Sequence, residues 1–306
     1  MSFRFAVKIV GRTQGKSVVN SAAYISRSRL KSEELGQTFD YTNKQSSMCL
    51  SSKIYTPKWA DWTQDRSTLW NKVEHRETHI KAQFARLIEL NLPHQLSIQS
   101  MISTLEEFVK THFISQGMVA DVNIHDPDKK GDPRNYHAHI LLTLRGVNEH
   151  GFVGNKIREW NKKSVLENWR EMWAMSCSQS LKLDGYTKEA EQWKYGYLTL
   201  KDQKAKAIER DDLPYAQQCD HIPDKHQGPS IHAILKKENK SYVHQRRAIE
   251  LKDAKNIKAK NLTRIEKKHQ QLLDRKTELE QYLSLHNPRN NNRDREGHDR
   301  DDDRGR

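Results

Sequence analysis

The sequence predicts an α+β fold in which a central antiparallel sheet is flanked by helices. Two segments alternate polar and apolar residues with the period of two that is typical of strands, GMVADVNIHD at 117–126 and HAHILLTLRG at 137–146. The polar loop between them allows the two strands to pair as a long-loop hairpin. Apolar residues with helical spacing at 96–113 come just before them. Helices and strands are therefore expected in one domain.

The other elements of this domain follow from the same two periods. In chain order the sequence predicts a strand at 3–10, a helix at 17–30, short paired strands within 38–57, a helix at 59–80, a strand that ends at Pro93, and a helix at 155–182. We expect this catalytic domain to occupy residues 1–200.

Beyond residue 200 the composition changes. Residues 201–235 mix charges with proline and glycine, which is typical of a connecting segment. Residues 236–286 are predicted to form a charged helical extension. Residues 287–306 offer no apolar surface to bury, so we expect a disordered tail.

The junction between the first strand and the first helix resembles a nucleotide-binding loop. The phosphate-cradling motif needs four residues between its first glycine and the GK[ST] triplet, whereas only three separate Gly11 from Gly15. Val10 stands where the longer spacing would require a glycine, and its β-branched side chain resists positive φ angles. The segment therefore predicts a strand, a turn and a helix capped by Ser17.

The charge balance favours a polyanionic partner. The formal net charge is +13, while 35% of the residues are hydrophobic and 30% are charged. Basic proteins gain sequence-independent affinity for nucleic acid by releasing counterions from phosphates, and an anionic membrane surface is the weaker alternative. The N-terminus lacks a signal-like apolar segment and no apolar run is long enough to insert in a membrane. Three scattered cysteines suit a reducing cytoplasm.

Three histidines are predicted to meet on the two alternating strands. If the strands pair, His125 lies beside His137, and His139 points from the same face two residues farther on. Three imidazole nitrogens leave coordination positions open, which a catalytic metal site requires. The alternative is a solvated sheet face.

Tyr24 lies on the polar and basic face of the first predicted helix, together with Asn20 and Arg27. Taken alone, it is typical of an amphipathic tyrosine at a surface.

Several motifs in order resemble the MobA/MobL family of plasmid mobilisation relaxases, which belong to the HUH endonucleases. They are KSVVNSAAYISRSRL, RSTLWNKVEHRETHIKAQFARLIELNLP, GMVADVNIHD and NYHAHILLTLRG, within about the first 180 residues. The resemblance implies that Tyr24 is the catalytic nucleophile and that His125, His137 and His139 bind a divalent metal ion, Mn²⁺, Mg²⁺ or Zn²⁺. Ile25 and Tyr136 depart from the family pattern, where arginine and proline are frequent, but neither departure removes a catalytic group.

The resemblance also implies an activity and its partners. We expect site- and strand-specific nicking and rejoining of DNA at a plasmid origin of transfer, through a 5′-phosphotyrosyl intermediate. The partners would be single-stranded DNA at that origin, accessory relaxosome proteins and a coupling protein, in the cytoplasm. The alternatives are a rolling-circle replication initiator and a non-enzymatic, basic DNA-binding protein with a structural metal.

Four acidic residues are candidates for supporting roles. Asp121 shares the strand face of the histidines and Asp126 follows His125, and either could orient an imidazole. Glu74 and Glu77 match acidic positions of the family, or they belong to a solvated helix face.

A second group of potential metal ligands follows the folded domain: Cys219, His221, His226 and His232. Their spacing fits no standard zinc pattern, so the sequence does not favour a second metal site.

Overall fold

A central five-stranded sheet organises the computed structural model, which describes residues 3–14, 17–44, 47–129, 131–221, 270, 274 and 277. The strands in chain order are β1 (Phe5–Gly11), β2 (Arg29–Lys31), β3 (Thr38–Asp40), β4 (Cys49–Tyr55), β5 (Gln83–Asn91), β6 (Ala120–His125), β7 (His137–Thr143), β8 (Gly146–Asn148) and β9 (Gly151–Val153). The sheet has the order β1-β5-β7-β6-β4, and every neighbouring pair is antiparallel. The predicted antiparallel sheet is confirmed.

Helices cover both faces of this sheet. In the described part of the chain the α-helices are α1 (Val18–Ser26), α2 (Arg66–Arg76), α3 (Ile98–His112), α4 (Lys163–Leu183), α5 (Thr187–Lys194), α6 (Leu200–Glu209) and α7 (Leu213–Gln218). One apolar cluster joins α3 and α4 to one sheet face through residues such as Ile88 and Ile140. A second cluster joins α1 and α2 to the opposite face through Leu141. The sheet is therefore buried on both sides.

Helix α1 begins where the sequence predicts and ends sooner. The Ser17 hydroxyl accepts a hydrogen bond from the Asn20 N–H at 3.1 Å, which satisfies one free donor of the first turn. Arg27 ends the helix in the left-handed conformation, with φ of 53°. The chain then enters β2 at Arg29, so the predicted helix at 17–30 is too long by one turn.

The strands predicted within 38–57 do not pair with each other. β3 pairs with β2, while β4 joins the central sheet as the neighbour of β6. The predicted helix at 59–80 is also shorter, because a 3-10 turn at Asp61–Gln64 precedes α2 and Asp65 caps the helix. Local periodicity indicates that these segments are strands and helices, but it does not choose their partners.

Strand β6 differs from its prediction in burial. Alternation predicts a half-buried strand, yet every residue of β6 is buried. Its polar face is covered by side chains of α2, since Arg66 and Trp70 both bond to Asp121, and by the end of α1 at Ile25. The alternation therefore marks a buried polar face.

The first compact unit of the chain, Met1–Asp220, extends beyond the predicted boundary at residue 200. Helices α6 and α7 lie within the predicted connecting segment 201–235, and the Tyr215 hydroxyl donates to Gln203 at 2.8 Å. The predicted helical extension 236–286 lies outside the described residues except at 270, 274 and 277, which are helical, and the predicted tail 287–306 lies wholly outside them. Within the described residues, no helix is both long and apolar enough to cross a bilayer.

Candidate active site

The three predicted histidines lie together at one end of the sheet. His125 pairs with His137 in the β6–β7 register, and His139 points from the same face two residues along β7. Their ring centroids are separated by 5.4 Å for His125 and His137, 5.0 Å for His125 and His139, and 5.2 Å for His137 and His139. One nitrogen from each ring lies within 4.8 Å of the other two. We call this group the histidine cluster.

Backbone carbonyls orient two of these rings. The Nε2 atom of His125 lies 2.7 Å from the carbonyl oxygen of Ile25, and Nδ1 of His137 lies 2.9 Å from that of Asn135. A neutral imidazole donates from one nitrogen and offers a lone pair on the other. These contacts therefore leave Nδ1 of His125 and Nε2 of His137 as the acceptors.

Burial keeps His125 and His139 neutral. Burial, together with the nearby charge of Arg27, lowers the pKa of His125 to about 4 against the opposing effect of the hydrogen bond to Ile25. Burial and the other two imidazoles also lower the pKa of His139. Metal ligands must be deprotonated, so these imidazoles are in the form that binds metal at neutral pH.

The donor set fits a divalent cation. The Nδ1 atoms of His125 and His139 are buried and have no hydrogen-bond partner, which is costly for a polar atom unless another group occupies its lone pair. Imidazole nitrogens suit Zn²⁺ and Mn²⁺, whereas Mg²⁺ prefers oxygen ligands. Within the described part of the chain, this is the group of His, Cys, Asp and Glu side chains with such spacing.

Tyr24 lies in the last turn of α1, immediately before the residue whose carbonyl contacts His125. Its side chain is 39% exposed. The Lys44 ammonium lies 3.7 Å from the Tyr24 ring centroid, and the Tyr41 ring packs edge-on at 5.3 Å. Burial favours the neutral phenol, but hydrogen bonding to Lys44 and the charges of Lys44 and Arg27 lower the pKa of Tyr24 overall.

The two aspartates next to the cluster bond to other groups. Asp121 accepts from Arg66 at 2.7 and 2.8 Å, from the Trp70 indole at 2.9 Å and from the Asn123 amide at 2.9 Å. Asp126 accepts from the backbone N–H of Met48. The contact that orients His125 is instead the backbone carbonyl of Ile25. Sequence reasoning missed it because a carbonyl carries no residue-type signal.

Glu74 and Glu77 are buried, so their assignment to a solvated helix face is wrong. One Glu74 oxygen accepts from the Ser17 hydroxyl at 2.5 Å and the Val18 N–H at 2.8 Å, so Glu74 anchors the start of α1. Glu77 pairs with Arg145 and Lys156, each at 2.7 Å. Glu74 therefore lies at the opposite end of α1 from Tyr24, and Glu77 ties the end of α2 to the segment that follows β7.

Glu89 is a site residue that sequence reasoning missed. It pairs with His139 in the β5–β7 register, and it forms ion pairs with Arg4 at 2.8 Å and Lys8 at 3.0 Å. Burial opposes its ionisation, but these bonds hold its pKa below the ordinary value. Its signal was the single acidic residue of β5, placed between the apolar residues Ile88 and Leu90.

The second group of potential ligands is not assembled within the described residues. Cys219 lies in a small buried cluster with Ala207, Tyr215 and Ala216. His226 and His232 lie outside the described residues.

The model of the MobA/MobL family matches residues 16–237, which is more than half of the chain. The chain belongs to the MobA/MobL family.

Two curated relatives of this MobA/MobL chain are similar over its N-terminal part. The conjugal transfer protein TraA of Agrobacterium fabrum is 34% identical over 187 residues, which are 56% of this chain and 16% of TraA. The mobilization protein MobL of Acidithiobacillus ferridurans is 27% identical over 60% of this chain and 55% of MobL. The chain thus spans a small part of TraA and about half of MobL.

A solved structure shares the fold. Described as "Molecular Basis of Vancomycin Resistance Transfer in Staphylococcus aureus", it is 34% identical with a TM-score of 0.55, over 61% of this chain and 96% of that one. The expected relaxase-like arrangement of a central antiparallel sheet between helices is therefore confirmed.

Proposed function

We propose that this protein nicks and rejoins one strand of DNA at a plasmid origin of transfer, with Tyr24 as the nucleophile. Membership of the MobA/MobL family and relatives named for conjugal transfer and mobilization support this proposal. The observation that carries it is the 2.7 Å contact between His125 and the Ile25 carbonyl. This contact joins the histidine cluster to the helix turn that presents Tyr24.

In the proposed reaction, Tyr24 Oη attacks the phosphorus of the scissile phosphodiester. A P–Oη bond forms while the P–O3′ bond breaks, which leaves a 5′-phosphotyrosyl link and a free 3′-hydroxyl. The phenol proton passes to solvent, and the leaving 3′-oxygen takes up a proton. Because one phosphoester replaces another, a 3′-hydroxyl can reverse the step and reseal the strand.

The histidine cluster would hold a divalent cation through His125, His137 and His139. When bound, such a cation neutralises charge on the scissile phosphate. The protein's part is to keep His125 and His139 neutral through burial, and to fix two ring orientations through the Ile25 and Asn135 carbonyls. Mn²⁺, Zn²⁺ and Mg²⁺ are the candidates.

The proposed substrate is single-stranded DNA at the origin. A phosphodiester must be exposed and flexible to reach Tyr24, and the net charge of +13 supplies phosphate affinity. Accessory relaxosome proteins and a coupling protein are the proposed protein partners.

The decisive test is a denaturing gel that detects protein covalently attached to a labelled origin oligonucleotide. Tyr24→Phe removes the nucleophilic oxygen, so we expect the adduct to disappear while DNA affinity persists. Tyr41→Phe is the matched control, because it removes a hydroxyl from the adjacent ring and should retain the adduct. An adduct in Tyr24→Phe would place the nucleophile elsewhere.

The metal assignment is tested with His139→Ala. We expect weaker metal binding in a calorimetric titration and a matching loss of cleavage, which excess Mn²⁺ partly restores by mass action. A His139→Ala protein that binds metal and cleaves like the parent would refute the three-histidine site.

A further inference from the structure

Two cations surround the side chain of Tyr24. The Lys44 ammonium lies 3.7 Å from the ring centroid, and the Arg27 guanidinium carbon lies 4.9 Å from it. Neither cation forms an ion pair with a carboxylate in the described part of the chain. An anion that arrives at or forms on Tyr24 would therefore meet two positive charges that the described carboxylates do not neutralise.

The backbone holds Arg27 over Tyr24 in a costly conformation. Arg27 has φ of 53°, a region that non-glycine residues rarely adopt. Its guanidinium donates to the Tyr24 carbonyl at 2.7 Å and to the Ser47 hydroxyl at 3.0 Å. These bonds turn the side chain back towards the nucleophile, so Arg27 positions the last turn of α1 while its charge stays near the ring.

Tyr55 provides an internal comparison. Lys53 lies 4.9 Å from the Tyr55 ring centroid, so this tyrosine also has a lysine against its face. There, however, Glu106 pairs with Lys53 at 3.7 Å. Burial, together with the Glu106 charge and hydrogen bond, raises the pKa of Tyr55 to about 12. The two tyrosines therefore differ in burial, since Tyr55 is 7% and Tyr24 is 39% exposed, and in the carboxylate that pairs with the lysine beside Tyr55.

We propose that Lys44 is a catalytic residue of strand cleavage, whose ammonium stabilises the negative charge on Tyr24 Oη as this oxygen attacks the phosphate. Arg27 is a positioning residue that adds a second positive charge. This inference rests on the proposed function. Lys44 remains protonated throughout: the phenol proton passes to solvent, the P–Oη bond forms, the P–O3′ bond breaks, and the 3′-oxygen is protonated by solvent.

The test compares Lys44→Met with Lys53→Met in the full chain. Both substitutions remove one lysine beside a tyrosine and lower the net charge equally. At saturating origin oligonucleotide and fixed metal, we expect Lys44→Met to slow single-turnover adduct formation by about 100-fold, as expected for a lost electrostatic donor. Lys53→Met should slow adduct formation by less than about threefold, because this substitution changes only the general positive charge that attracts DNA. Equal effects of the two substitutions would overturn the proposal.

A second measurement separates stabilisation of the phenolate from DNA placement. A trifluorinated tyrosine introduced at position 24 is a stronger acid, so its phenolate needs less stabilisation. The fluorinated residue should speed adduct formation in the Lys44→Met protein by at least about tenfold, and it should change the rate of the parent protein much less. Lys44→Arg, which keeps the charge, should retain part of the activity. A slow Lys44→Met protein that the fluorinated residue does not restore would show that Lys44 only places the DNA, and would refute the proposal.

Failure of this inference differs from failure of the proposed function. If Tyr24→Phe abolishes the adduct and Lys44→Met cleaves like the parent, only the role of Lys44 is wrong. If Tyr24→Phe still forms the adduct, the assigned nucleophile is wrong, and the role of Lys44 fails with it.

Discussion

The two faces of the central sheet are both covered by helices, but they bury different chemistry. Under α3 and α4 the strands present apolar residues, and aromatic rings such as Phe108, Trp169 and Trp173 complete the packing. Under α1 and α2 the same strands present a row of polar residues near one end. This row consists of Glu89, Asp121, Asn123, His125, His137 and His139. The first face is thus an apolar core that buries one charged side chain, Arg86, whose guanidinium carbon lies 5.3 Å from the Trp169 ring centroid. The other face becomes a buried polar site at one end.

This difference shows how one sheet can stabilise the domain and hold the site. Apolar burial is non-directional, so the α3/α4 face tolerates small shifts. Buried polar groups need partners at fixed positions, and the α1/α2 face supplies them through Arg66, Trp70 and the Ile25 carbonyl. Substitutions on the first face should change stability, while those on the second should change stability and the site together.

The largest stability effect is expected on the apolar face, at Phe108. This ring is 1% exposed and packs edge-on against Phe113 at 5.4 Å and Trp173 at 5.1 Å. Phe108→Ala should lower the free energy of unfolding by about 4 kcal/mol, because it removes apolar surface and leaves a cavity. Urea denaturation measures this value.

The matched control for Phe108 is Ile98→Ala in the same helix, where the side chain is 47% exposed and little should change. Folded Phe108→Ala protein should still bind metal at the histidine cluster like the parent. A large loss of metal affinity would show that the two faces are coupled.

The second-largest loss of stability is expected on the polar face, at Asp121. Asp121→Ala removes the shared acceptor of Arg66, Trp70 and Asn123. The substitution should lower the free energy of unfolding by about 3 kcal/mol. This value is at the low end for a broken buried ion pair, because the Arg66 side chain reaches solvent. Metal affinity should also fall, because Asn123 pairs with His139 in the sheet register.

The control for Asp121 is Asp132→Ala, which breaks an exposed pair with Arg134. Solvent screens an exposed pair, so its loss should change stability much less than the loss of Asp121. If the two aspartate substitutions cost the same, the buried network does not stabilise the polar face as the structure indicates.

The smallest expected effect is the change in stability of the metal-free protein with pH. Folding lowers the pKa of His125 from its ordinary value of 6.5 to about 4. Between these two pH values the unfolded chain therefore binds a proton at His125 that the folded protein does not bind. Stability therefore falls as pH falls, and the contribution of His125 between pH 7 and pH 5 is about 2 kcal/mol. Urea denaturation at both pH values measures the loss.

His125→Gln isolates this contribution, since glutamine can still donate to the Ile25 carbonyl but does not titrate. The stability difference between the two pH values should shrink by about 2 kcal/mol in the variant. An unchanged difference would mean that His125 binds its proton equally in the folded and the unfolded protein, so that folding does not lower its pKa.

Much of this architecture could be predicted from the sequence, because strand alternation and helical spacing record which side chains face an apolar neighbour. The β6–β7 pairing, and with it the approach of His125 to His137, followed from two such patterns and one loop. The partner of β4 could not be predicted in this way, since a short polar strand carries no register signal. Burial of Glu74 was missed because its partners, Ser17 and the first amides of α1, lie more than fifty residues away.

The sequence by itself determined the fold class, the cap at Ser17, the placement of three histidines on one sheet face, and the motifs that assign the family. Only the tertiary structure decided that the polar face is buried, that Ile25 holds His125, and that Lys44 lies against Tyr24. The physical reason is the nature of the contacts. Periodicity encodes the apolar side of each element, whereas a backbone carbonyl meeting an imidazole one hundred residues away, or a loop lysine meeting a helix tyrosine, depends on how the elements pack.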